Sequence, residues 1–386
     1  MAQDWIWSRS EWPHFRYEAQ AFAEDIRRYL YLRGVLAGKA GHLEAEPQKR
    51  LLSSAIVEET LKSSEIEGES LSVDSLWSSV AKRLNLSGQK AGAADRKAEN
   101  AVAIVFDAID NTASPLDSKR IFGWHRLLFE GEPPIARPPV VGGWRTDKVY
   151  VVSTSGKRQE IVFEGIPAEQ LAEETERLFS WIGELNEREP LVKSAIAHLW
   201  FVLIHPFGDG NGRIARAIAD NVLSREEEAL MQGEQPEGFR HARYFSMSAQ
   251  ICGDRKSYYA AIAQANASHT LDITDWLCWY VQTAVRAVEN AIAQLQKTID
   301  TRSLVQRMDT GTWNARQIAM MCRLVDGSFI GKLTTEKWAA LQKCTVYTAG
   351  RDIKALVDAG FLSRSESGGR STSYQLASDI SSILGA

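Results

Sequence analysis

The chain has 386 residues, of which 44% are hydrophobic and 24% are charged, and its formal net charge is −4. This length allows two or three domains, and the apolar content is sufficient for a buried core, which excludes a disordered or fibrous chain. The slightly acidic balance excludes attachment of the whole chain to nucleic acid by its charge, and four scattered cysteines are typical of reduced thiols rather than a disulfide framework.

Helical periodicity dominates the N-terminal part of the chain. Apolar residues recur at helical spacing over 18–36 and 49–67, and again over 95–109. The N-terminus contains Asp4 and lacks an apolar core, so we expect no signal peptide. The longest central apolar run, Ala195–Ile204, is too short to cross a bilayer. We therefore expect a cytoplasmic protein without a membrane partner.

The second of these helical patterns ends in the stretch LKSSEIEGES, residues 61–70. Ser64 and Glu67 fit a capping box, which would start a helix here, but the apolar periodicity precedes this point rather than following it. Gly68 directly follows Glu67, as glycine commonly follows the end of a helix. Because the helix dipole disfavours a carboxylate in the last turn, Glu67 gains most from a cation supplied by another part of the chain.

Two short β-branched and aromatic runs interrupt the helical pattern. They are KVYVV at Lys148–Val152 and QEIVF at Gln159–Phe163, and the polar stretch STSGKR lies between them. This pattern predicts a β-hairpin over residues 148–163. Helical periodicity then resumes over 169–185 and 191–204.

The stretch HPFGDGNGRIAR, residues 205–216, follows the apolar helix. Gly208, Gly210 and Gly212 permit a turn whose backbone N–H groups converge at the start of the next helix, which is a favourable place for a phosphate group. Arg213 and Arg216 are three residues apart, so they share a helix face and suit the β- and γ-phosphates of a nucleotide.

Two further side chains in this stretch fit nucleotide chemistry. Asp209 is a hard oxygen ligand of the kind that binds Mg²⁺ between phosphates. His205 belongs to the residue type with an ordinary pKa of about 6.5, which suits general base catalysis at neutral pH. No Walker A sequence competes, because Gly156 and Lys157 lack the earlier glycine of that motif.

HPFGDGNGRIAR resembles the signature of the Fic family, HPFx(D/E)GNGRxxR, without a departure. The resemblance implies a mainly α fold, with a Fic-type helical core and a β-hairpin flap. It also implies transfer of AMP from ATP to a hydroxyl side chain of a target protein, with His205 deprotonating the hydroxyl and Asp209 holding Mg²⁺. The phosphate-binding groups that it implies are Asn211, Arg213, Arg216 and the backbone around Gly208, Gly210 and Gly212.

The stretch that ends the second helical pattern also resembles a family feature. Ser63, Glu67 and Gly68 match the inhibitory-helix pattern (S/T)xxxE(G/N). This resemblance implies that Glu67 pairs with Arg216 and prevents productive seating of the ATP γ-phosphate. The N-terminal WIWSRSEWPHFRY resembles the domain found in front of Fic cores of this class.

Two segments on either side of the motif resemble substrate-binding parts of the family. The hairpin 148–163 resembles the flap, along which the target protein lies as an added strand. RKSYYAAIAQANA, residues 255–267, resembles the adenosine-side helix. It implies that Tyr258 or Tyr259 stacks near the base and that Asn266 meets the purine or ribose.

The last part of the chain predicts a separate winged-helix module. Helical patterns over 314–324, 333–344 and 345–360 are followed by two short strands around a Ser/Gly turn. Residues 311–386 carry nine Lys and Arg against six Asp and Glu, which gives a local charge of +3. Such a module binds DNA or another protein, and the sequence leaves both open.

We therefore predict an N-terminal helical domain over 1–90, a Fic catalytic domain over 91–300 and a winged-helix domain over 301–386. The predicted function is an autoinhibited protein adenylyltransferase that uses ATP and Mg²⁺, and self-modification and a homodimer are compatible with it. The alternatives are a Fic-fold enzyme that transfers another phosphate-containing group or removes AMP, and a winged-helix DNA-binding regulator.

Overall fold

A computed structural model shows a chain built mainly from helices, with two small antiparallel sheets. It describes residues 5–86, 95–132, 136, 138, 140–155, 158–184, 189–230, 243–308, 312–325, 329, 332–365 and 372–377. The chain forms two compact units, Met1–Ala291 and Ile292–Ala386. The mainly α fold predicted from the sequence is confirmed, and the three-domain division at residues 90 and 300 stays a prediction.

The first unit consists of helices on both sides of a hairpin. The helices before the hairpin are α1 (Ala23–Gly41), α2 (Ala45–Ile66), α3 (Val73–Arg83), α4 (Arg96–Asp110) and α5 (Ser118–Phe129). The helices after it are α6 (Leu171–Gly183), α7 (Pro190–Ile204), α8 (Asn211–Leu230), α9 (Met247–Gly253), α10 (Arg255–Asn266) and α11 (Thr274–Met308), whose last residues belong to the second unit. None of the helices in the described part of the chain is long and apolar enough to cross a membrane.

The predicted hairpin is present as β1 (Tyr150–Ser155) and β2 (Arg158–Glu164). The two strands are antiparallel, and Tyr150 pairs with Glu164 at the open end of the hairpin. The register shifts between Val151 and Val152, where one strand carries an extra residue. The hairpin follows the Gly- and Pro-rich segment after α5. Its first strand therefore begins close in sequence to this segment, which contacts the motif.

Helix α7 lies at the centre of the first unit because its sequence is apolar on every side. Leu199, Phe201 and Leu203 are fully buried, and α7 packs along α8. Two buried polar side chains of α7 are paired: the Ser194 hydroxyl donates to the Ala219 carbonyl at 2.8 Å, and Lys193 Nζ donates to Glu226 at 2.9 Å.

Helix α2 is held in this unit by an apolar face. A buried cluster, with residues from α2, α3 and α4, consists of Ile56, Val57, Leu71, Leu76, Val80, Ala98, Val102, Phe106 and Ile109. Burial of this many aliphatic side chains removes a large apolar area from water, which fixes the helix against its neighbours. The C-terminus of α2 is thereby positioned next to α8.

The second unit shows the order of elements that the sequence predicts, three helices followed by two strands. They are α12 (Ala315–Val325), α13 (Thr335–Leu341), α14 (Val346–Asp358), β3 (Leu362–Arg364) and β4 (Tyr374–Leu376). Trp338 and Ile353 lie in its core. Thr334 and Thr345 cap α13 and α14, each accepting a backbone N–H at the start of its helix.

Candidate active site

The motif forms a tight turn between α7 and α8. His205 ends α7 in the left-handed conformation, with φ 52° and ψ 57°. Asn211 then closes the turn, because its side-chain oxygen accepts from the Phe207 N–H at 2.9 Å and its amide donates to the Phe207 carbonyl at 2.8 Å. Gly210, with φ +83°, takes the left-handed conformation that favours glycine. Asn211 therefore shapes the turn, and its direct contact with phosphate stays a prediction.

The environment of His205 keeps its imidazole neutral. Its Nδ1 lies 3.2 Å from the Val202 carbonyl, and because a carbonyl only accepts, Nδ1 carries the proton. Nε2 is thereby left with its lone pair. Burial lowers the pKa of His205 to about 4, and the nearby Arg145 guanidinium acts in the same direction. At neutral pH the side chain is a base that is ready to accept a proton.

Arg145 joins the catalytic turn to both ends of the hairpin. Its Nε donates to the His205 carbonyl at 2.8 Å, and its backbone N–H donates to the Pro206 carbonyl at 3.0 Å. Its other guanidinium nitrogens donate to the carbonyls of Asp147, before β1, and Ile166, after β2. The sequence does not predict this role of Arg145, because its three carbonyl partners are brought together only by the tertiary fold.

His125 also supports the turn, through hydrogen bonds with backbone groups, and the sequence does not predict this role. The Gly142 N–H donates to its Nδ1 at 2.9 Å, so the proton lies on Nε2, which is 3.2 Å from the Asp209 carbonyl. The ring stacks on Phe207 with centroids 4.0 Å apart. Burial lowers the pKa of His125 to about 4, so the neutral tautomer holds the backbone of the motif at neutral pH.

Arg216 is occupied by the end of α2. Its Nη2 donates to Glu67 Oε1 at 2.8 Å and to the Ser63 carbonyl at 2.8 Å, and its Nε donates to the Ser63 hydroxyl at 2.9 Å. The side chain of Arg216 is 3% exposed. Its Nη1 is buried without a hydrogen-bond partner among the described residues. The guanidinium is thus almost, but not completely, satisfied by two residues of the predicted inhibitory pattern.

The backbone at the end of α2 aims Glu67 at this arginine. The Glu69 N–H donates to the Ser64 carbonyl and the Gly68 N–H donates to the Glu65 carbonyl, which is the Schellman arrangement that ends a helix. Gly68 takes φ +80°, the conformation that this arrangement needs. Gly68 therefore ends the helix as its sequence predicts, and the capping-box alternative, in which a helix starts here, is wrong.

Gly212 lies directly under the carboxylate of Glu67. A Cβ atom at Gly212 would lie 2.1 Å from Glu67 Oε1 and 3.2 Å from Arg216 Nη1. The carboxylate therefore fills the space at the N-terminus of α8 that the sequence analysis assigned to phosphate. An anion at this place is stabilised by the helix dipole and by the converging N–H groups.

A second acidic residue from the same segment neutralises Arg213. Glu69 forms an ion pair with Arg213, and its other oxygen lies 3.4 Å from Lys97 Nζ. Lys97 in turn lies 2.7 Å from Glu132. The sequence does not predict this role of Glu69, because the contact joins residues 144 positions apart in the chain.

Glu59 anchors α2 two turns before Glu67. It is buried and accepts hydrogen bonds from the hydroxyls of Ser246 and Ser248 and from the Ser248 N–H at 3.0 Å. These groups lie at the N-terminus of α9, where a carboxylate is favoured. The middle of α2 is therefore fixed to the rest of the first unit by a buried polar contact.

The structure places the residues predicted near adenosine in environments that differ in exposure to solvent. Tyr258 is 2% exposed, and its hydroxyl lies 2.9 Å from His198 Nε2, so its ring is inside the protein and cannot stack on a base from solution. Tyr259 is 48% exposed. Asn266 is buried, and its side-chain oxygen has no hydrogen-bond partner among the described residues. The prediction of a stacking tyrosine therefore narrows to Tyr259.

Asp209 is the residue of the motif that suits a metal. Its side chain is 58% exposed, and its Oδ1 accepts from the Gly210 N–H at 2.5 Å. The described residues contain no cluster of three metal-ligating side chains. A single exposed carboxylate fits Mg²⁺, because this ion keeps several waters and takes its remaining ligands from nucleotide phosphates.

The contact between Gly212 and Glu67 predicts the effect of a single methyl group. In Gly212→Ala the new Cβ displaces the Glu67 carboxylate, which is the mobile end of a side chain, from Arg216. Because a charge-assisted hydrogen bond is lost, we expect backbone hydrogen exchange over residues 61–69 to rise about tenfold, measured by mass spectrometry. In Gly183→Ala the new Cβ meets nothing within 4 Å, so this control should leave the exchange unchanged. Equal exchange in both variants would contradict the prediction.

Comparisons with known proteins place the motif within a segment that matches a known family. A family model described as Fic/DOC family matches residues 115–223, and one described as a domain of unknown function, DUF4172, matches residues 5–86. Over 146 residues the chain is 35% identical to protein adenylyltransferase fic-1 of Caenorhabditis briggsae and 34% identical to that of Caenorhabditis elegans. These alignments cover 37% of this chain and 26% of each relative, so the chain matches about a quarter of their length.

A solved structure of a Fic-1 segment from C. elegans has the same fold. It superposes with a TM-score of 0.50 at 19% identity, covering 72% of this chain and 74% of that chain. This likeness concerns the fold alone. The complete motif, 205–216, lies inside the segment that the family model matches. Residues 115–223 of this chain are a Fic/DOC family domain.

Proposed function

We propose that the chain is a protein adenylyltransferase that transfers AMP from ATP to a hydroxyl side chain of a target protein, and that the end of α2 restrains it. The contact of Glu67 with Arg216 carries this proposal. A buried arginine at the N-terminus of a helix, beside a neutral histidine, suits a triphosphate, and here a carboxylate from another helix takes its place. The similarity to proteins named protein adenylyltransferase supports the same reaction.

The chemistry would proceed by in-line displacement. His205 Nε2 accepts the proton of the target hydroxyl, and the hydroxyl oxygen attacks the α-phosphorus of ATP. The bond between this phosphorus and the oxygen bridging to the β-phosphate breaks, and pyrophosphate leaves. Arg213 and Arg216 neutralise its charge, and the N–H groups at the start of α8 orient it. Asp209 would hold Mg²⁺, which supplies further charge neutralisation when it is bound.

The hairpin offers a place for the target protein. Phe163 on β2 lies with its ring 6.0 Å from the ring of His205, so the strand passes beside the catalytic base. An extended target segment that pairs with this hairpin would bring its hydroxyl to His205, because added strands are held by backbone hydrogen bonds. Backbone pairing accepts many sequences, and the same geometry allows the chain to modify itself.

The restraint would be electrostatic and steric together. The γ-phosphate needs the guanidinium that Glu67 and Ser63 hold, and the Glu67 carboxylate repels a polyphosphate that approaches the same N–H groups. Glu69 adds a second negative charge at Arg213. A nucleotide would therefore bind with its phosphates displaced from the position that in-line attack requires.

Two other functions remain as alternatives with distinct signatures. A Fic-fold enzyme that transfers another phosphate-containing group would use a different part of the nucleotide. An enzyme that removes AMP would use Glu67 to activate water. The pair of arginines on α8 favours a ligand with both β- and γ-phosphates, which supports ATP as the substrate.

Removal of the Glu67 side chain should activate the enzyme. For Glu67→Gly we expect about 10- to 100-fold more AMP transfer, because a restraint of about 1.5–3 kcal/mol is lost. The measurement uses ATP labelled in the α position, with purified chain for self-modification and cell lysate for other targets. In a parallel reaction with ATP labelled in the γ position, protein that gains this label but not the α label would identify phosphate transfer instead.

Two controls make this result decisive. Glu67→Gly combined with His205→Ala should be inactive, because the base is absent. A modified target that loses its label in the presence of the wild-type chain but not of Glu67→Gly would identify AMP removal. Unchanged transfer in Glu67→Gly would show that the contact with Arg216 does not restrain the reaction.

Glu69 should contribute a smaller restraint. For Glu69→Gln we expect a two- to tenfold rise in AMP transfer, roughly 0.4–1.4 kcal/mol, because Arg213 loses its ion pair with Glu69 while Glu67 stays in place. Glu65→Gln is the matched control, since Glu65 lies in the same turn but pairs with Lys62. The prediction fails if both variants change the rate equally.

The pH profile should report the low pKa of His205. Because burial lowers this pKa to about 4, the base form persists as the pH falls from about 7 to about 5, and kcat/KM of Glu67→Gly should change little in this range. A histidine with an ordinary pKa would lose most of its activity near pH 6. An acid limb near pH 6.5, with an unchanged melting temperature, would contradict a buried neutral base.

A further inference from the structure

Two N-terminal tryptophans lie against the end of the hairpin that carries Phe163. The indole N–H of Trp7 donates to the Glu164 carbonyl at 2.7 Å, and that of Trp5 donates to Glu164 Oε2 at 3.2 Å. The rings of Trp5 and Phe163 meet edge to face, with centroids 6.1 Å apart. The last residue of β2 is thus held through both its backbone and its side chain.

Glu164 also ties together the two chains at the base of the hairpin. Lys148, two residues before β1, places its Nζ 3.3 Å from Glu164 Oε1, while Trp5 binds the other oxygen. Tyr150 on β1 pairs with Glu164 across the sheet. Because hydrogen bonds to a charged group are stronger than those between neutral groups, the carboxylate is a firm point of attachment. The tryptophans therefore hold both strands through one residue.

The segment that carries these tryptophans is itself anchored in the first unit. Ile6, between the two tryptophans, is fully buried. Trp12 Nε1 donates to Glu174 Oε2 at 2.9 Å, and the Arg16 N–H donates to the Leu271 carbonyl at 2.9 Å. These bonds join residues that are far apart in the chain. The tryptophans therefore contact the hairpin from a fixed position.

The same end of the hairpin also contacts the catalytic turn. The ring of Phe163 lies 6.0 Å from the ring of His205. A Cβ atom at Gly165 would lie 3.1 Å from His205 Cβ and 2.8 Å from Arg145 Nη2, so the backbone of the hairpin passes very close to the base. This end of the hairpin therefore connects the N-terminal tryptophans to His205, and the close fit at Gly165 leaves the strand little room to shift.

We infer that Trp5 and Trp7 are positioning residues of the transfer reaction, which set where the end of β2 lies relative to His205. This inference rests on the proposed function, in which an extended target segment pairs with the hairpin. The target hydroxyl must come within about 2.6–3.2 Å of the base, and a misplacement of about 1 Å costs about 100-fold in rate. The tryptophans act on this distance through Glu164 and Phe163.

The first test measures the hairpin and needs no AMP transfer. In Trp5→Phe combined with Trp7→Phe an aromatic ring remains at each position, but both indole N–H donors are lost. We expect backbone hydrogen exchange over 149–151 and 163–166 to rise about tenfold, measured by mass spectrometry on the full chain. The control is Trp124→Phe, which loses an indole hydrogen bond to Asp107 elsewhere in the first unit. Equal exchange at the hairpin in both proteins would overturn the inference.

The second test measures self-modification with ATP labelled in the α position, in the Glu67→Gly background. Adding Trp5→Phe and Trp7→Phe should lower the rate at saturating ATP about five- to tenfold, because the hydroxyl is held less accurately at the base. The apparent KM for ATP and the melting temperature should stay unchanged, since the phosphate site is unaltered. An unchanged rate would contradict a positioning role. A raised KM together with a lowered melting temperature would show a general loss of structure and would contradict it equally.

A mutant cycle tests whether Trp5 acts through Glu164. Trp5→Phe should slow self-modification when Glu164 is present but have no further effect in Glu164→Ala, because the acceptor carboxylate is then absent. Trp7→Phe should remain effective in Glu164→Ala, since its acceptor is the backbone carbonyl. Additive effects of Trp5→Phe and Glu164→Ala on the rate would show that this route is wrong.

The two tests separate failure of this inference from failure of the proposed function. If Glu67→Gly transfers AMP and the tryptophan variants transfer it equally fast, the inference alone fails. If Glu67→Gly transfers no AMP while hydrogen exchange at the hairpin responds as expected, the proposed function fails, and with it the role in transfer, but the tryptophans still hold the hairpin beside His205.

Discussion

The structure depends on how it satisfies one buried cation, Arg216. A guanidinium that is 3% exposed must be paired, because an uncompensated buried charge costs several kcal/mol. In this state the pairing comes from Ser63 and Glu67 on α2. Any arrangement that removes α2 must supply another anion, and a nucleotide polyphosphate is the natural replacement. In the proposed function, restraint and substrate binding would therefore be alternative ways of meeting the same electrostatic requirement.

The neighbouring cation, Arg213, is also paired, and its partner belongs to a series of ion pairs. Glu69 meets Arg213, and Lys97 lies between Glu69 and Glu132. Opposite charges alternate from Arg213 to Glu132, and Asp209 also lies 3.6 Å from Arg213, so each cation faces at least one carboxylate. The catalytic side of the turn is organised differently. His205 and His125 are neutral and are held by backbone groups, with Arg145 binding carbonyls instead of carboxylates. Charged side chains surround the place where phosphate would bind, whereas neutral hydrogen-bonding groups surround the place where a proton would be transferred.

The sequence was sufficient for the parts of this site that are local. The motif, the hairpin and the end of α2 each follow from residues close together in the chain, whose turn and capping chemistry is short-range. Glu67 was found through the resemblance of its segment to the inhibitory-helix pattern, and its unfavourable position at a helix end supports a cation from another part of the chain. Arg145 and His125 were not found, since their partners are backbone atoms that only the tertiary fold brings near. The sequence left Tyr258 and Tyr259 both open as the stacking residue, because helical spacing alone does not show which of two adjacent tyrosines faces inward.

The buried Glu59 contact couples the end of α2 to the packing of the first unit. Glu59 fixes the middle of the helix to α9, and the turns beyond it are held by apolar side chains as well as by charge, since Ile66 is buried and Leu61 packs against the apolar cluster. Withdrawal of Glu67 from Arg216 by unfolding of these turns would therefore also expose apolar surface to water. In the proposed function, the strength of the restraint would thus depend on the packing of α2 as well as on the ion pair.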